Sequence, residues 1–472
     1  MFVYSIFMTR YSMLELPILQ EKKSESALPS MQDLSHQPKL YVETYGCQMN
    51  VNDTEIVQGV MNDRGYAMTD KPELADVILL NTCAIRDNAE KKIHERLNHL
   101  KYYKKRKKEL VVGILGCMAE RLRETLLEKE LVDLVVGPDE YRSVPELISK
   151  AYSGERGIAV KLSRVETYDD ILPFRTEGIS AWVSIMRGCD KFCTYCVVPF
   201  TRGRERSRAF ASIVDEAKSL FDQGFKEITL LGQNVNSYRD EQSGHNFAEL
   251  LDACAKAVPE MRIRYTTSHP QDMSDQLIET MAMHPNICKY IHLPVQSGSN
   301  RVLSLMNRTH PVEHYYERIE MIKKLMPDCA LSTDIITGFP TETEEDHEAT
   351  MELMRKVRYD GAYMFKYSPR ERTKAWKMGD DIPDEVKVRR LNEIINQQNV
   401  IAREINQTLI GKTEHILVEG PSKKNPMEWQ GRTDSNKVAI FPQNEHAPYV
   451  IGDIIPVIIE KASSATLFGR LT

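Results

Sequence analysis

Three cysteines fall within a short run, Cys189, Cys193 and Cys196, in the stretch Arg187-Gly-Cys-Asp-Lys-Phe-Cys-Thr-Tyr-Cys196. Thiolates are soft ligands and suit iron–sulfur clusters. Three of them can serve three irons of a [4Fe–4S] cluster, which leaves the fourth iron open to a small chelating molecule. Zinc is the alternative reading, but it usually takes four protein ligands, and no fourth Cys or His lies nearby in sequence. A second trio is spread along the chain as Gly46-Cys47, Thr82-Cys83 and Gly116-Cys117, each just past an apolar, β-rich run. If those runs are parallel strands of one sheet, the three thiols meet at one edge and can hold a second cluster. Three buried core cysteines are the alternative there, since Cys is often a small core residue.

The elements that must position these thiols follow from periodicity. Lys39–Tyr45, Asp76–Asn81, Leu110–Leu115 and Val132–Val136 read as strands, separated by helical patterns from about Asp53, Asp87 and Ala119 and closed by Val144–Tyr152. That alternation predicts an α/β fold with a doubly wound parallel sheet, which binds ligands at the carboxyl ends of its strands. After a polar segment, Lys161–Gly178, six more β/α units follow, with strands at Ala181–Met186, Glu227–Leu231, Arg262–Thr266, Tyr290–Leu293, Leu331–Ile336 and Gly361–Tyr367. They predict a partial (β/α)6 barrel, again with its function at the carboxyl rim. Polar strand-end residues gather there: Gly232, Gln233 and Asn234, then Ser268, then Gln296, with Ile336 in the run Asp334–Gly338. Turn chemistry explains each of them alone, but as a set on one rim they can hold a ligand. Cys254, Cys288 and Cys329 lie away from these ends, and His269, His292 and His310 carry no ligand pattern.

A charged helical stretch from Asp384 to about Leu409 leads to five short β patterns, which predict a small all-β closed barrel of the kind used for oligonucleotides. Lys423, Lys424, Trp429 and Arg432 offer cations and a stacking face for RNA there. Because the larger barrel's rim ends before Gly411, loss of the terminal barrel is expected to spare it. Arg202, Arg204, Arg206 and Arg208 follow Cys196 closely. Guanidinium groups bind phosphates and stack on bases, so Arg202 and Arg204 are candidate RNA contacts; internal ion pairing is the alternative. The run Lys101–Lys108, KYYKKRKK, is either a solvated helix end or a phosphate-contacting patch.

The chain has 472 residues, 42% hydrophobic and 28% charged, the composition of an ordinary globular protein. No apolar run approaches the length of a membrane span. A net charge of −6 gives no global argument for nucleic-acid binding, which must rest on local basic patches. Nine cysteines without a regular disulfide pattern point to the reducing cytoplasm. Residues 1–38, mildly apolar and then polar, read as a disordered extension rather than a signal peptide.

The Cys-x3-Cys-x2-Cys spacing, with Tyr195 before the last Cys, resembles the radical S-adenosylmethionine (SAM) enzymes, whose open iron binds the amino and carboxylate groups of SAM. With the three earlier cysteines and the terminal barrel, the chain from Lys39 to Thr472 resembles the methylthiotransferase family of that superfamily. The resemblance implies a methylthiotransferase amino-terminal domain with an auxiliary cluster over residues 39–155, a radical SAM core over 175–405 and a TRAM RNA-binding domain over 408–472. It implies two [4Fe–4S] clusters, one on Cys47, Cys83 and Cys117 and one on Cys189, Cys193 and Cys196, and SAM held near Tyr195, Gly232, Gln233, Asn234, Ser268, Gln296 and Ile336. One departure is Thr341, where the family often has glycine in a Gly-Phe-Pro-Gly-Glu run.

Gly232–Tyr238 and Glu419–Asn425 resemble the family branch that modifies tRNA at an isopentenyl-type adenosine. Other branches act on threonylcarbamoyl-adenosine or on an aspartate of a ribosomal protein. The implied reaction replaces hydrogen at C2 of N6-isopentenyladenosine, next to the anticodon, with a methylthio group. SAM is then both methyl donor and radical source, and the auxiliary cluster is the sulfur carrier. The implied partners are the tRNA anticodon stem-loop and a low-potential electron donor such as flavodoxin or ferredoxin, with no membrane. Two other readings are a non-catalytic iron–sulfur protein that binds RNA or senses redox state, and the same chemistry on a ribosomal-protein side chain.

Overall fold

Strands rich in Val, Ile and Leu are buried on both faces, and the helices between them force parallel crossovers. The structure, a computed structural model, describes residues 37–83, 87–175, 178–443 and 449–472. The extension expected over residues 1–38 lies, up to residue 36, outside the described residues. Among the described residues the first sheet has strands β1 (Lys39–Tyr45), β2 (Ala67–Met68), β3 (Val77–Thr82), β4 (Val111–Gly116), β5 (Leu134–Val136) and β6 (Gly157–Ala159). All pair in parallel in the order β2-β1-β3-β4-β5-β6.

Alternation along β3 serves both faces. Val77 and Leu79 pack with Ile56, Val57 and Met61 of the helix Gln48–Asn62. Ile78 and Leu80 pack with Ile93, Leu97 and Leu100 of the helix Asp87–Arg106. The sheet is therefore doubly wound. Two helices start earlier than the expected Asp53 and Ala119: one runs from Gln48, directly after Cys47, and the other from Cys117 itself. Strand passes to helix within a residue or two, which puts these thiols at helix starts.

The central region begins with β7 (Ser180–Ser184), where the expected strand through Met186 breaks. Its last residues form a separate strand, β8 (Met186–Arg187), that pairs antiparallel with β9 (Arg206–Ser207). This two-residue clamp closes the base of the loop that carries Cys189, Cys193 and Cys196. Gly188 at φ +79° makes the close approach possible, since a Cβ there would lie 2.0 Å from the Arg204 carbonyl oxygen. Then follow β10 (Glu227–Leu231), β11 (Arg262–Thr266), β12 (Tyr290–His292), β13 (Ala330–Thr337) and β14 (Gly361–Lys366). They form two parallel sheets, β7-β10-β11 and β12-β13-β14, joined through the bridge Ile263–Ile287 and the Ser268 N–H donated to the His292 carbonyl at 3.4 Å. The result is an open six-unit barrel, split at its middle, around a core that includes Val183, Ile228, Ile263, Ile291 and Leu331. Thr341 lies at φ +67°. Left-handed backbone disfavours a β-branched residue, which is the physical reason glycine suits this position.

The last strands, β15 (Thr413–Pro421), β16 (Glu428–Arg432), β17 (Val438–Pro442), β18 (Ile454–Ala462) and β19 (Thr466–Leu471), close into a barrel ordered β15-β16-β17-β19-β18. Residues 38–472 make one compact unit, and this barrel is not a free appendage. Arg262 donates to the carbonyls of His415 and Arg432 at 2.8 and 3.0 Å. Arg264 donates to those of Thr433 and Asp434, both at 2.8 Å, and pairs with Glu227 at 2.7 Å. Lys437 reaches Asp360 at 2.5 Å. These partners stand at or near the amino ends of the larger barrel's strands, so the small barrel stoppers the mouth opposite the carboxyl rim. Removal of the terminal barrel would leave Arg262 and Arg264 without their backbone acceptors, a cost that falls at the mouth opposite the rim its loss is expected to spare. Arg264→Ala is expected to lower the unfolding free energy by about 3 kcal/mol, since it leaves Glu227 buried and unpaired. Urea denaturation measures this, and a loss below about 1 kcal/mol would mean the stopper is incidental.

Candidate active site

Cys83 directly follows β3, Cys117 directly follows β4, and Cys47 comes two residues after β1. Tyr45, Thr82 and Gly116 are in register across these three adjacent strands. Neighbouring strands lie about 4.8 Å apart, so the three thiols stand together at one sheet edge. The Cys47 turn is drawn tightly over Cys83: a Cβ on Gly46 would come within 3.1 Å of the Cys83 Cβ. Two buried asparagines fix that turn. Asn50 Nδ2 donates to Asn81 Oδ1 at 3.1 Å and to the Thr82 carbonyl at 3.2 Å, and Asn81 Nδ2 donates back to the Asn50 carbonyl at 2.8 Å. Cys47 is exposed, while Cys83 and Cys117 are buried. The edge thus presents a mouth to solvent with two of its thiols inside.

The second trio lies on the loop closed by β8 and β9. Cys189 N–H donates to the Gly203 carbonyl at 3.2 Å, and Cys196 N–H donates to the Cys193 carbonyl at 3.0 Å, which curls the loop on itself. Thr194 anchors it to the helix Asn300–Leu305 through the Leu305 and Met306 carbonyls, both at 2.9 Å. Burial pushes the Cys189 thiol up to about 11 and the Cys196 thiol up to about 12. Arg308, buried, points Nη1 at the Cys193 sulfur from 3.6 Å. Arg308 thus sets a charged donor on one of the three sulfurs. Among the described residues, no three His, Cys, Asp or Glu side chains are gathered closely enough for a single metal ion, as a mononuclear zinc site would require.

Around this loop the rim carries buried polar atoms with no partner among the described residues: Gln233 Oε1, Asn234 Oδ1, Ser268 Oγ, His269 Nε2, Arg308 Nε and His310 Nε2. Buried polar groups are normally paired, so such a concentration fits a site built for a polar ligand. Burial pushes both imidazoles down, His310 to about 3, so both are neutral near pH 7. His269 Nδ1 accepts from the Gln271 N–H at 3.2 Å, which puts its proton on Nε2. His310 Nδ1 faces the Pro311 carbonyl at 3.4 Å, which leaves its Nε2 an acceptor. Their rings lie 5.5 Å apart and offer one donor and one acceptor. Asp272 ties the thiol loop to this rim, accepting from Lys191 at 2.6 Å and from Asn234 Nδ2 at 2.7 Å. Tyr195 and Ile336 come together against Phe339 and Tyr367 as an apolar wall. Gln296, at φ +77°, accepts from the Ile336 N–H at 3.0 Å and donates its own N–H to Asp334 at 2.9 Å.

Gly232 requires a correction. Its N–H is already donated to the Thr266 carbonyl at 3.2 Å, so it offers no amide to a ligand. Its role is steric, because a Cβ there would lie 2.5 Å from Met186. Sequence reasoning did not single out Arg308, Asp272 or the partners of His269 and His310. Their positions depend on tertiary contact rather than on any local pattern.

The expected RNA contacts divide. Arg204 is 64% exposed, pairs with Asp190 at 2.7 Å and lies over the Phe192 ring. Lys423 and Lys424 are exposed on the β15–β16 connection. Arg432 is half-exposed and pairs with Glu419 at 2.9 Å. Trp429 is half-buried against the small barrel's core, with its ring perpendicular to that of Tyr449 at 5.5 Å. In the run Lys101–Lys108, Lys104 pairs with Asp133 and Lys107 with Asp76, so part of that run serves the sheet.

Arg202 departs from expectation. It is 3% exposed and donates to Asp53 Oδ2 at 2.7 Å, out of reach of RNA. Arg187 lies 2.8 Å from Asp53 Oδ1, and Tyr141 donates its hydroxyl to Oδ2 at 3.1 Å. Burial pushes the Asp53 carboxyl up, and the two arginines pull it further down, so it stays charged. Arg206 pairs with Asp139 at 2.8 Å in the same way, and Arg208 with Glu216 at 2.7 Å. Arg202 and Arg206, through Asp53 and Asp139, and Arg208, through Asp169 of the linker as well as Glu216 of its own region, therefore help join the two cysteine-bearing regions, while Arg204 stays on Asp190 of the thiol loop.

Comparison with known proteins agrees with this architecture. Residues 39–137 match the model of Uncharacterized protein family UPF0004, 183–354 that of the Radical SAM superfamily, and 407–472 that of the TRAM domain. The tRNA-2-methylthio-N(6)-dimethylallyladenosine synthase of Chloroherpeton thalassium is 53% identical over 434 residues, 92% of this chain and 96% of that protein. The synthase of the same name from Bacteroides fragilis is 54% identical over 438 residues, 92% of this chain and 95% of that protein. Among solved structures, the radical S-adenosylmethionine methyltransferase TsrM from Kitasatospora setae superposes with a TM-score of 0.53 at 14% identity, covering 70% of this chain and 73% of that one, a likeness of fold. The chain belongs to the radical SAM methylthiotransferases of the tRNA-2-methylthio-N(6)-dimethylallyladenosine synthase family.

Proposed function

We propose that this chain converts N6-isopentenyladenosine beside the anticodon of tRNA to its 2-methylthio derivative. The observation that carries the reading is that two cysteine trios, each at the carboxyl end of a parallel sheet, are tied together through buried Asp53, six residues past Cys47, and its partners Arg187 and Arg202, which flank the second trio in sequence. The near-full-length relatives named for this product support it. An aromatic C–H has no useful acidity, so side-chain acid–base chemistry does not suffice and a cofactor must carry the hard step. Cys189, Cys193 and Cys196 would hold a [4Fe–4S] cluster able to supply the electron for radical chemistry on SAM, and Cys47, Cys83 and Cys117 would hold a second one as the sulfur carrier.

The chain's own residues bind and aim. Gln233, Asn234, Ser268 and Gln296 receive the polar part of SAM on the rim, and Tyr195 and Ile336 form the apolar wall beside it. His269 and His310 keep a neutral donor and acceptor next to the thiol loop. Arg204, Lys423, Lys424 and Arg432 supply phosphate contacts. They lie at opposite ends of the larger barrel, so an RNA that uses all of them spans its height. A low-potential protein such as a flavodoxin or ferredoxin delivers the electron. Among the described residues no helix is long and apolar enough to cross a membrane, and we place the protein in the cytoplasm with its tRNA.

Two outcomes test this reading. Ser268→Ala removes a hydroxyl that has no partner among the described residues, so unfolding stability should stay within about 0.5 kcal/mol while SAM binding weakens between about two- and tenfold. Equilibrium dialysis on the anaerobic holoenzyme reads the affinity; unchanged affinity would remove Ser268 from the site. For the substrate, matched tRNAs carrying adenosine, isopentenyladenosine or threonylcarbamoyl-adenosine are offered with SAM and reductant, and the nucleosides are analysed by mass spectrometry. Burial of the five-carbon group contributes about 2 kcal/mol or more, so the isopentenyl form should lead plain adenosine in kcat/KM by roughly thirtyfold. Preference for the threonylcarbamoyl form, or product on a protein alone, would overturn the substrate assignment.

A further inference from the structure

Arg202 ends the short helix Val198–Thr201, which packs against the helix Cys117–Leu122. One arm, Nη2, is fixed on Asp53 Oδ2 at 2.7 Å. The other, Nη1, is buried and has no acceptor among the described residues. A buried guanidinium N–H without an acceptor is costly, so a position that keeps one points to a group that completes it. Cys117 is the first residue of the helix that Arg202 faces. The packing of these two helices sets the Arg202 guanidinium beside Cys117, near enough to act on its sulfur as a charge and as a donor. Arg187 grips the same carboxylate and also keeps a buried Nη1 without an acceptor among the described residues, but its guanidinium lies over the Tyr168 ring at 4.9 Å, which takes up that side of it.

We propose that Arg202 is a positioning residue of the auxiliary site, its Nη1 donating to the sulfur of Cys117 when that site holds its cluster. The inference rests on the two-cluster reading above. It means that a residue six places after Cys196, carried by one trio's loop, tunes the cluster of the other. A donor to a ligating sulfur draws off negative charge and favours the reduced cluster, so it raises the reduction potential. Arg202→Lys keeps a cation for Asp53, but one ammonium cannot span Asp53 and Cys117 as the two arms of a guanidinium can. Arg187→Lys changes the same ion pair without touching that sulfur.

The test is an EPR-monitored redox titration of the full-length, cluster-loaded enzyme, with iron and sulfide counted in each sample. Arg202→Lys should lower the auxiliary midpoint, with a preference for the reduced form weaker by roughly tenfold, about 59 mV for a one-electron couple. The midpoint of the Cys189, Cys193 and Cys196 cluster should stay in place, and Arg187→Lys should leave both unmoved. Loss of the auxiliary cluster from Arg202→Lys alone would also support the proposal. An unshifted midpoint, an equal shift in both variants, or cluster loss from both would overturn it. Wild-type protein that binds one cluster only would refute the two-cluster reading instead, a distinct result.

Discussion

A buried carboxylate, with Asp139 in support, joins the two halves of this site. Asp53 is 0% exposed and lies between Arg187 and Arg202. Removal of a charge from water is costly, and the arrangement is stable only because both guanidiniums and the Tyr141 hydroxyl answer it. Its placement explains its importance. Asp53 is six residues past Cys47 on the same helix, Arg187 is two before Cys189, and Arg202 is six after Cys196. The joint therefore registers one trio against the other, and neither sheet edge could shift without leaving a buried charge alone.

The thiols and their strands were legible in the sequence because the signals are local. Each of Cys47, Cys83 and Cys117 sits where an apolar strand run stops, and the register of Tyr45, Thr82 and Gly116 then follows from parallel pairing of neighbours. Gln233, Asn234 and Ser268 were legible as strand-end polar residues, and they keep buried, unpartnered atoms on the rim. The arginines after Cys196 were not. In sequence they form a basic run suited to phosphate, but Arg202 finds its carboxylate 149 residues away. No periodicity carries information at that separation. The β8–β9 clamp escaped notice for the opposite reason: two residues per strand leave no pattern to read.

The terminal barrel shows the same limit. Its strands were legible from β-rich runs and turns, but its docking was not, because Arg262 and Arg264 read as ordinary polar positions of an alternating strand. They act through backbone carbonyls of His415, Arg432, Thr433 and Asp434, whose side chains give no hint of the contact. Trp429 is a further case. An aromatic beside lysines suggests a stacking platform, and nothing local in the sequence signals that part of this ring also packs against the barrel's own core.

The central claim is that the two trios are held close, as parts of one site. Cys196 comes two residues before the helix Val198–Thr201, which packs against the helix that Cys117 starts, and packed helices lie about 8–10 Å apart, which places the two sites within about 20 Å. Pulsed EPR on the full chain with both clusters reduced measures that spacing directly. The account predicts a dipolar coupling between the two paramagnetic clusters that corresponds to a separation below about 20 Å. Two signals that relax independently, with no coupling between them, would contradict it.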